Sequence, residues 1–492
     1  MKFYKERLNS KYSVVLFLLL SFICLYFSFY KNSLHAAEDH FFDNFQLDSE
    51  GLVIGQIIKD HELYPHKHSN LGNYWLKEDK TGTEIKDISL QSDRNEDNSL
   101  YVPNNYYSDL KTASGYRLIA GEQIRAIKEV TEENSATKIL YYGEPLDLNN
   151  IKTVTVDLKK HIESSEYTSQ YGLQGRIFSY CVNKLGMSKK SLHRANSILL
   201  AIVIIVLTVQ IGKIFSRDFA VIFLLSIIFS PWVVSFARNL YWIEFSWLLP
   251  SVFAWTIFLI KSFKTKCCLF LGIFLSCWFK CLSGYEYFSS VLMFAIAPNV
   301  FQILMAENKK CLYKNVQQAF FICLTGTLGF IAALLMHAYL RSGGNISDGL
   351  SAIWSHDVLR RTYGGNVKDF DPVYADSFNA STFTVLKKYV LQWRTEVISI
   401  PIIKWFSFRI LLVLNIIAII FSYRHNRKES RYNLSLIITF CLPAISWYVL
   451  GKSHSFIHTH MNYVLWYMGG IGAIFYVLYR DLTSRWNYVQ KV

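Results

Sequence analysis

NSILLAIVIIVLTVQIG, Asn196–Gly212, holds no charged residue, and neither does FAVIFLLSIIFSPWVVSFA, Phe219–Ala237. A helix crossing a bilayer needs about 20 consecutive apolar residues. These two runs are long enough, and they set the reading of the rest. Working outward, apolar stretches recur near 13–31, 195–212, 218–236, 242–260, 267–282, 287–305, 317–340, 402–422, 434–450 and 461–479. The chain has 492 residues, 52% of them hydrophobic and 16% aromatic. A soluble chain of this length would spread its apolar residues periodically instead of in blocks. The expected fold is therefore an all-α polytopic membrane protein of about ten transmembrane helices, with a small α/β insertion outside them.

The first run, VVLFLLLSFICLYFSFY (Val14–Tyr30), follows a basic segment with Lys2, Lys5, Arg7 and Lys11. It is longer than a signal-peptide core, and SLHAAED is a poor cleavage site, so it is read as a retained helix. With the N-terminus in the cytoplasm, the segments on that side are the N-terminus, KIFSRD, KSFKTK, ENKKCLYKN, YRHNRKESRYN and YRDLTSRWNYVQKV. They carry +3, +1, +3, +2, +3 and +2, which together equal the whole net charge of +14. Excess Lys and Arg on one side is the expected orientation signal. Both termini are then cytoplasmic. Because the basic residues are scattered as topology signals, they form no patch for nucleic acid.

Two outer segments are large, Lys31–Arg194 and about 341–401. The first holds 20 Lys and Arg against 24 Asp and Glu. The domain reading is 1–31, cytoplasmic N-terminus and first helix; 32–76, first outer loop; 77–160, α/β insertion; and 161–194, an amphipathic interfacial helix. It continues with 195–340, helices two to seven; 341–401, second outer loop; and 402–492, helices eight to ten with the cytoplasmic tail. Within the insertion, IKTVTVDL reads as a strand, and YRLIAGEQIRAIKEV and TKILYYGEPLDL as short apolar stretches between turn residues. Three short outer turns remain: ARNLYWIE (237–244), CLSGYEY (281–287) and GKSHSFIHTH (451–460).

Asp48-Ser49-Glu50 lies fewer than twenty residues after the first span. Asp and Ser suit a helix cap and Glu a first turn, so capping explains the triplet without chemistry. On an outer membrane face, Asp48 or Glu50 is also a candidate general base, a carboxylate taking the proton of an attacking hydroxyl. Lys280 and Glu244 lie near span ends, where ionisable groups are functional candidates, although Lys280 can equally snorkel. Arg238 faces a phosphate or anchors the interface beside Tyr241 and Trp242. Lys452, His454, His458 and His460 cluster in one turn, and ammonium and imidazole both donate to phosphate oxygens. His454 and His458 stand four apart, but a closed metal site needs further ligands, so no metal is assigned. The second outer loop holds Arg341, Arg360, Arg361 and Lys368 with Trp354 and Tyr363, a mixture that suits sugar and phosphate but also an ordinary loop.

The nine cysteines form no CxxC pair, and Cys24, Cys267, Cys268, Cys277, Cys323 and Cys441 sit inside apolar runs. There is no GxxxxGK[ST], and no GxGxxG following a strand. Neither a nucleotide partner nor a cofactor is expected.

The layout resembles the polytopic lipid-phosphate-sugar glycosyltransferases of the GT-C fold, in which an acidic motif just after the first helix holds the catalytic base. LDSEGLVIG occupies that place. YTSQYGLQGRIFSY and SHSFIHTHMNYVLWYMG resemble segments of the bacterial serotype-converting O-antigen glucosyltransferases of the GtrII type. The 77–160 insertion departs from the class. The resemblance implies a bacterial inner-membrane enzyme moving a sugar, glucose on this likeness, from undecaprenyl-phosphate-sugar to O-antigen at the periplasmic face, with inversion. Aminoarabinose and protein-mannosyl transferases share the architecture. Asp48 or Glu50 would be the base. Arg238, Lys280, Arg341, Lys452, His454 and His458 would hold the donor phosphate, and Gln170, Gln174, Tyr285 and Glu286 the substrate. The rivals are a transporter or flippase of lipid-linked saccharides and an O-antigen polymerase. A transporter usually places polar sites at mid-membrane and shows repeats, which these spans do not.

Overall fold

The computed structural model describes residues 2–61, 68–91, 98–362, 366–393 and 395–489; Tyr363, named above, falls outside them. The chain forms two compact units. The larger comprises Met1–Phe45, His193–Ala338 and Ile346–Val492; the smaller comprises Gln46–Leu192 with Tyr339–Asn345.

The larger unit is helical. Among the described residues, six helices are long and apolar enough to cross a membrane: Tyr12–Lys31, Lys189–Ile214, Phe263–Ser283, Lys309–Arg341, Phe408–His425 and Arg427–Leu450. The expectation of ten is corrected to six. The remaining four apolar stretches are shorter or broken. Residues 218–236 divide into helices Arg217–Ile228 and Pro231–Phe236. Ser230 caps the second of these by accepting from the Val233 amide, and Pro231 takes the first helical position. That is where proline is tolerated, since it lacks an N–H the preceding turn would need. Residues 287–305 break at Ile296 ahead of Pro298. Helix Phe245–Leu259 has 15 residues, and 461–479 begins as a 3-10 turn before helix Gly470–Val489. Hydropathy sums see the composition of such stretches but not their interruptions.

The outward faces of the long helices are apolar. Leu324, Leu328, Ile331 and Leu335 of Lys309–Arg341 are all exposed. Contiguous apolar surface on this scale marks contact with lipid or another protein. The inner faces pack through aromatic rings: Phe215, Phe219, Trp255, Phe294 and Phe440 meet mainly edge to face.

The smaller unit corrects the α/β expectation. Its insertion is a seven-stranded, wholly antiparallel sheet that begins before residue 77 and ends after 160. The strands are β1 (Gly72–Glu78), β2 (Glu84–Ser89), β3 (Ser99–Pro103), β4 (Tyr116–Ala120), β5 (Gln123–Glu133), β6 (Ala136–Tyr141) and β7 (Thr153–Glu166). The order is β1-β7-β4-β5-β6-β3, with β2 also paired to β7. Asn134 and Ser135, both at positive φ, make the two-residue turn from β5 to β6, as a tight hairpin requires. Leu100, Val102, Leu118, Ile127, Ile139 and Val156 fill the core on one face. The interfacial helix expected over 161–194 is instead the end of β7, helix Leu173–Asn183, and the start of Lys189–Ile214.

The acidic triplet opens helix Leu47–His61, which packs on Leu173–Asn183 and on β1. Gly55 permits the approach to β1: a Cβ there would lie 1.9 Å from the Gly72 carbonyl oxygen. Gly55→Ala is expected to destabilise this unit by about 2–3 kcal/mol through overpacking against backbone that cannot swing aside. Earlier thermolysin cleavage within Gln46–Leu192 would be the readout, and unchanged protection would contradict the packing described.

Candidate functional site

The structure gathers part of the predicted set at one end of the larger unit. The nucleus is helix Lys452–Ile457, six residues following Gly451. Side chains from several elements hold it by its backbone. Tyr389 Oη donates to the Ser455 carbonyl at 2.6 Å, and Lys388 Nζ donates to the Phe456 carbonyl at 3.2 Å. Ser453 Oγ donates to the Thr362 carbonyl at 2.9 Å. Beneath it, Tyr389 and Tyr448 stack at 3.8 Å, and Tyr287 Oη donates to Asn462 Oδ1 at 2.6 Å. These hydrogen bonds to its backbone and from its Ser453 hydroxyl fix the position of the helix.

Three imidazoles project from this frame. His454 packs against Trp447 and lies 4.4 Å, ring centre to ring centre, from His458, which lies 5.3 Å from His460. Nδ1 of both His454 and His458 is buried and accepts or donates no hydrogen bond among the described residues. Buried ring nitrogens without partners are uncommon and call for an explanation. Beside them, the second large loop places Arg360 and Arg361 within electrostatic reach. Arg361 Nη1 pairs with Glu286 Oε1 at 3.1 Å, with the two side chains only 13% and 5% exposed. Arg360 lies 4.0 Å from Asp357, which also meets His356 at 3.3 Å.

Burial, then neighbouring His460 and Arg361, pushes His458 down to about 4 against the opposing pull of Glu286. His454 is held well below the usual imidazole range, mainly by burial and then by His458 and the two arginines. Burial also lowers His460. At neutral pH the cluster is therefore three neutral rings beside two guanidinium groups that pair with Glu286 and Asp357. A neutral imidazole can donate from one nitrogen and accept at the other. Guanidinium supplies the planar fork that matches a phosphate.

The other predicted residues are placed differently. Lys452 is buried, and its ammonium donates to the Phe378 and Ala380 carbonyls, both at 2.8 Å, fastening the loop over the cluster. Lys280 donates to the Gly284 carbonyl and so closes the end of its own helix. Arg238 lies over the Phe42 ring at 3.9 Å and meets Asp43 at 2.9 Å. Tyr285 stacks on His337 and reaches its Nδ1 at 3.2 Å. In the smaller unit, Gln170 and Gln174 are enclosed, 0% and 1% exposed, Gln170 just ahead of helix Leu173–Asn183 and Gln174 in its first turn. Arg341 ends helix Lys309–Arg341 and belongs to that same unit. Asp48 is exposed in the first turn of its helix, whereas Glu50 is buried and paired with Lys189 at 2.9 Å.

The sequence reading took Arg360 and Arg361 as part of a mixture suited to sugar and phosphate or to an ordinary loop and left them out of the donor-phosphate set, since adjacent arginines in a loop carry little signal alone. The partner that fixes Arg361 is 75 residues away, in the CLSGYEY turn. Among the described residues no group of three or more His, Cys, Asp and Glu is arranged to hold a metal ion. Comparison with family models, curated proteins and solved structures returned no match to this chain.

Proposed function

We propose that the chain is a membrane-embedded glycosyltransferase that uses a polyprenyl-phosphate-linked sugar as donor. The observation that carries this reading is the pair of orphan imidazole nitrogens on His454 and His458 beside Arg360 and Arg361, at one end of an apolar helical body. A phosphodiester joining a sugar to a lipid tail has negative charge for the arginines, acceptor oxygens for the imidazoles and an apolar chain for the helices, and the polyprenyl phosphate monoester left after transfer carries more charge still. The donor is used at the periplasmic face of a bacterial inner membrane, with glucose moving to O-antigen as the specific form of the proposal. The charge asymmetry of the loops and the likeness of LDSEGLVIG and SHSFIHTHMNYVLWYMG to the GT-C class support it.

In the proposed reaction the acceptor hydroxyl attacks the anomeric carbon while its proton passes to Asp48, or to Glu50 as the second choice. The new carbon–oxygen bond forms as the anomeric carbon–phosphate oxygen bond breaks on the opposite face, so configuration inverts. Polyprenyl phosphate leaves with the electron pair and its charge is met by guanidinium and imidazole donors. Glu50 is already neutralised by Lys189, which favours exposed Asp48 as the base.

The test is transfer of labelled glucose from polyprenyl-phosphoglucose by the full chain in lipid, with Asp48→Asn and Glu50→Gln made separately. Loss of a general base costs about 10²–10⁴ in rate, so Asp48→Asn should fall by at least two decades. Full activity in both variants at normal expression would end the base assignment. Shortened glycan chains in a deletion strain, in place of a missing side-chain sugar, would point to a polymerase.

A further inference from the structure

Helix Leu173–Asn183, in the smaller unit, leaves one face outside the packing described above. Gln174, Gly175, Phe178 and Ser179 are its buried side. Arg176, Ile177, Tyr180 and Lys184 are all exposed, Tyr180 by 59%. They stand three and four residues apart, the spacing of one helix face. The patch runs on past the helix. Gly186 adopts a φ of +65°, and the amides of Gly186 and Met187 donate to the Val182 and Cys181 carbonyls at 3.0 and 3.1 Å. A left-handed glycine closes the helix in this way, and it leaves Leu185 61% exposed. Ser188 Oγ then accepts from the Ser191 amide at 3.2 Å, at the start of helix Lys189–Ile214. That helix is one of the six long and apolar enough to cross a membrane. The exposed face is therefore tied to the head of a candidate span by one short, hydrogen-bonded turn.

Charge selects what covers it. From Tyr167 to Arg194 the chain holds Arg176, Lys184, Lys189, Lys190 and Arg194 and no Asp or Glu, whereas residues 31–166 hold 15 Lys and Arg against 24 Asp and Glu. Lys189 pairs with Glu50, and Arg194 lies against the Tyr30 ring. Arg176, Lys184 and Lys190 are exposed and meet no carboxylate among the described residues. In the orientation inferred from the loops they flank the span on its outer side, where a basic excess opposes the orientation signal instead of supplying it. A zwitterionic surface would take Ile177, Tyr180 and Leu185 but leave the three cations without a counter-charge. An anionic bilayer surface meets both needs: tyrosine sits at headgroup depth, aliphatic side chains enter the acyl boundary, and Lys and Arg meet lipid phosphates. We propose that Ile177, Tyr180 and Leu185, with Arg176, Lys184 and Lys190, rest on anionic phospholipid around the head of the Lys189–Ile214 span. The inference depends on that helix being a span and is independent of the transferase reading.

The experiment puts the photo-cross-linker p-benzoylphenylalanine in place of Tyr180 in the full chain, held in nanodiscs of equal parts phosphatidylcholine and phosphatidylglycerol. Adducts formed on irradiation are identified by mass. Lipid adducts are expected, with phosphatidylglycerol favoured roughly fivefold, the attraction of about one basic residue at an anionic surface. Added salt should erode that preference. Arg176→Gln, Lys184→Gln and Lys190→Gln together should bring the two lipids to equal shares. Arg176→Lys, Lys184→Arg and Lys190→Arg together should keep the preference, which separates lost charge from altered folding. Absence of lipid adducts, cross-linking to protein instead, or equal lipid shares in the otherwise unaltered chain would overturn the proposal. So would a preference that survives in the glutamine variant. No readout requires sugar transfer, so a failure here leaves the transferase standing, and a chain inactive in transfer can still show the lipid preference.

Discussion

Arg361→Met should be among the most damaging single changes in the chain, in both stability and activity. Arg361 and Glu286 form an ion pair at 3.1 Å with little solvent around either side chain. Removing one partner of such a pair strands the other charge in a poorly hydrated place, which costs about 3–5 kcal/mol. Replacing both by apolar groups is far milder, because no charge is left behind. The expected order of thermal stability is therefore wild type, then Glu286→Leu/Arg361→Met, then Arg361→Met alone. On the proposed transferase reading, glycosyl transfer should not recover in the double variant, since the guanidinium assigned to the leaving phosphate is gone in both. If the single variant melts with the wild type, the pair is a surface contact of little worth and the cluster is not built as described. Arg361→Lys supplies a point charge without the fork. It should restore more stability than transfer.

These residues also mark where a sequence stops being readable. The apolar runs announced helices long and apolar enough to cross a membrane, and each of the six continuous ones overlaps a predicted stretch and runs past it at one end or both. The signal for the three broken ones was present in Pro231, Pro298 and Gly469, but a hydropathy window averages over a proline or a glycine instead of breaking at it; the fourth, Phe245–Leu259, is short and continuous. Gly469 adopts a φ of +90°, and a Cβ there would meet the Phe440 ring at 2.2 Å. The sheet was visible at β7, where TVTVDL alternates. It was hidden at β1, where GNYWLKE is exposed along most of its length and draws its pairing from β7. The helix opened by Asp48 was legible because capping chemistry is local. The histidine turn was legible as a cluster for the same reason. What makes it a candidate site is long-range: Glu286, Arg360 and Arg361 come to it from a turn and a loop that no spacing rule connects. Lys452 and Lys280 illustrate the converse. Their type and position suggested phosphate, and the fold directs their ammonium groups to backbone carbonyls.

Anion binding at the cluster should take up protons, and this gives the second large effect. In the absence of ligand, burial, then His460, Arg361 and Arg360, pushes His458 down to about 4 against the pull of Glu286, and the His454 ring packs against it. A phosphate beside these groups adds negative charge that favours the imidazolium, so the bound form titrates higher than the free form. Between the two values the complex holds more protons than the free protein, and affinity rises as pH falls. The limit is about tenfold per pH unit for one coupled proton. Farnesyl phosphoglucose, a phosphodiester with no titration of its own in this range, should therefore bind more tightly at pH 5.5 than at pH 7.5, and calorimetry in buffers of different ionisation enthalpy should register net proton uptake at the lower pH. Without ligand the sign is opposite for stability. The folded protein resists protonating His458 while the unfolded chain accepts a proton near 6.5. Stability from this group is thus complete above about 6.5 and declines as pH falls towards 4. His458→Gln should flatten both profiles while leaving the arginine contribution to binding. A variant that binds farnesyl phosphoglucose with the wild-type pH dependence would place the phosphate away from His458.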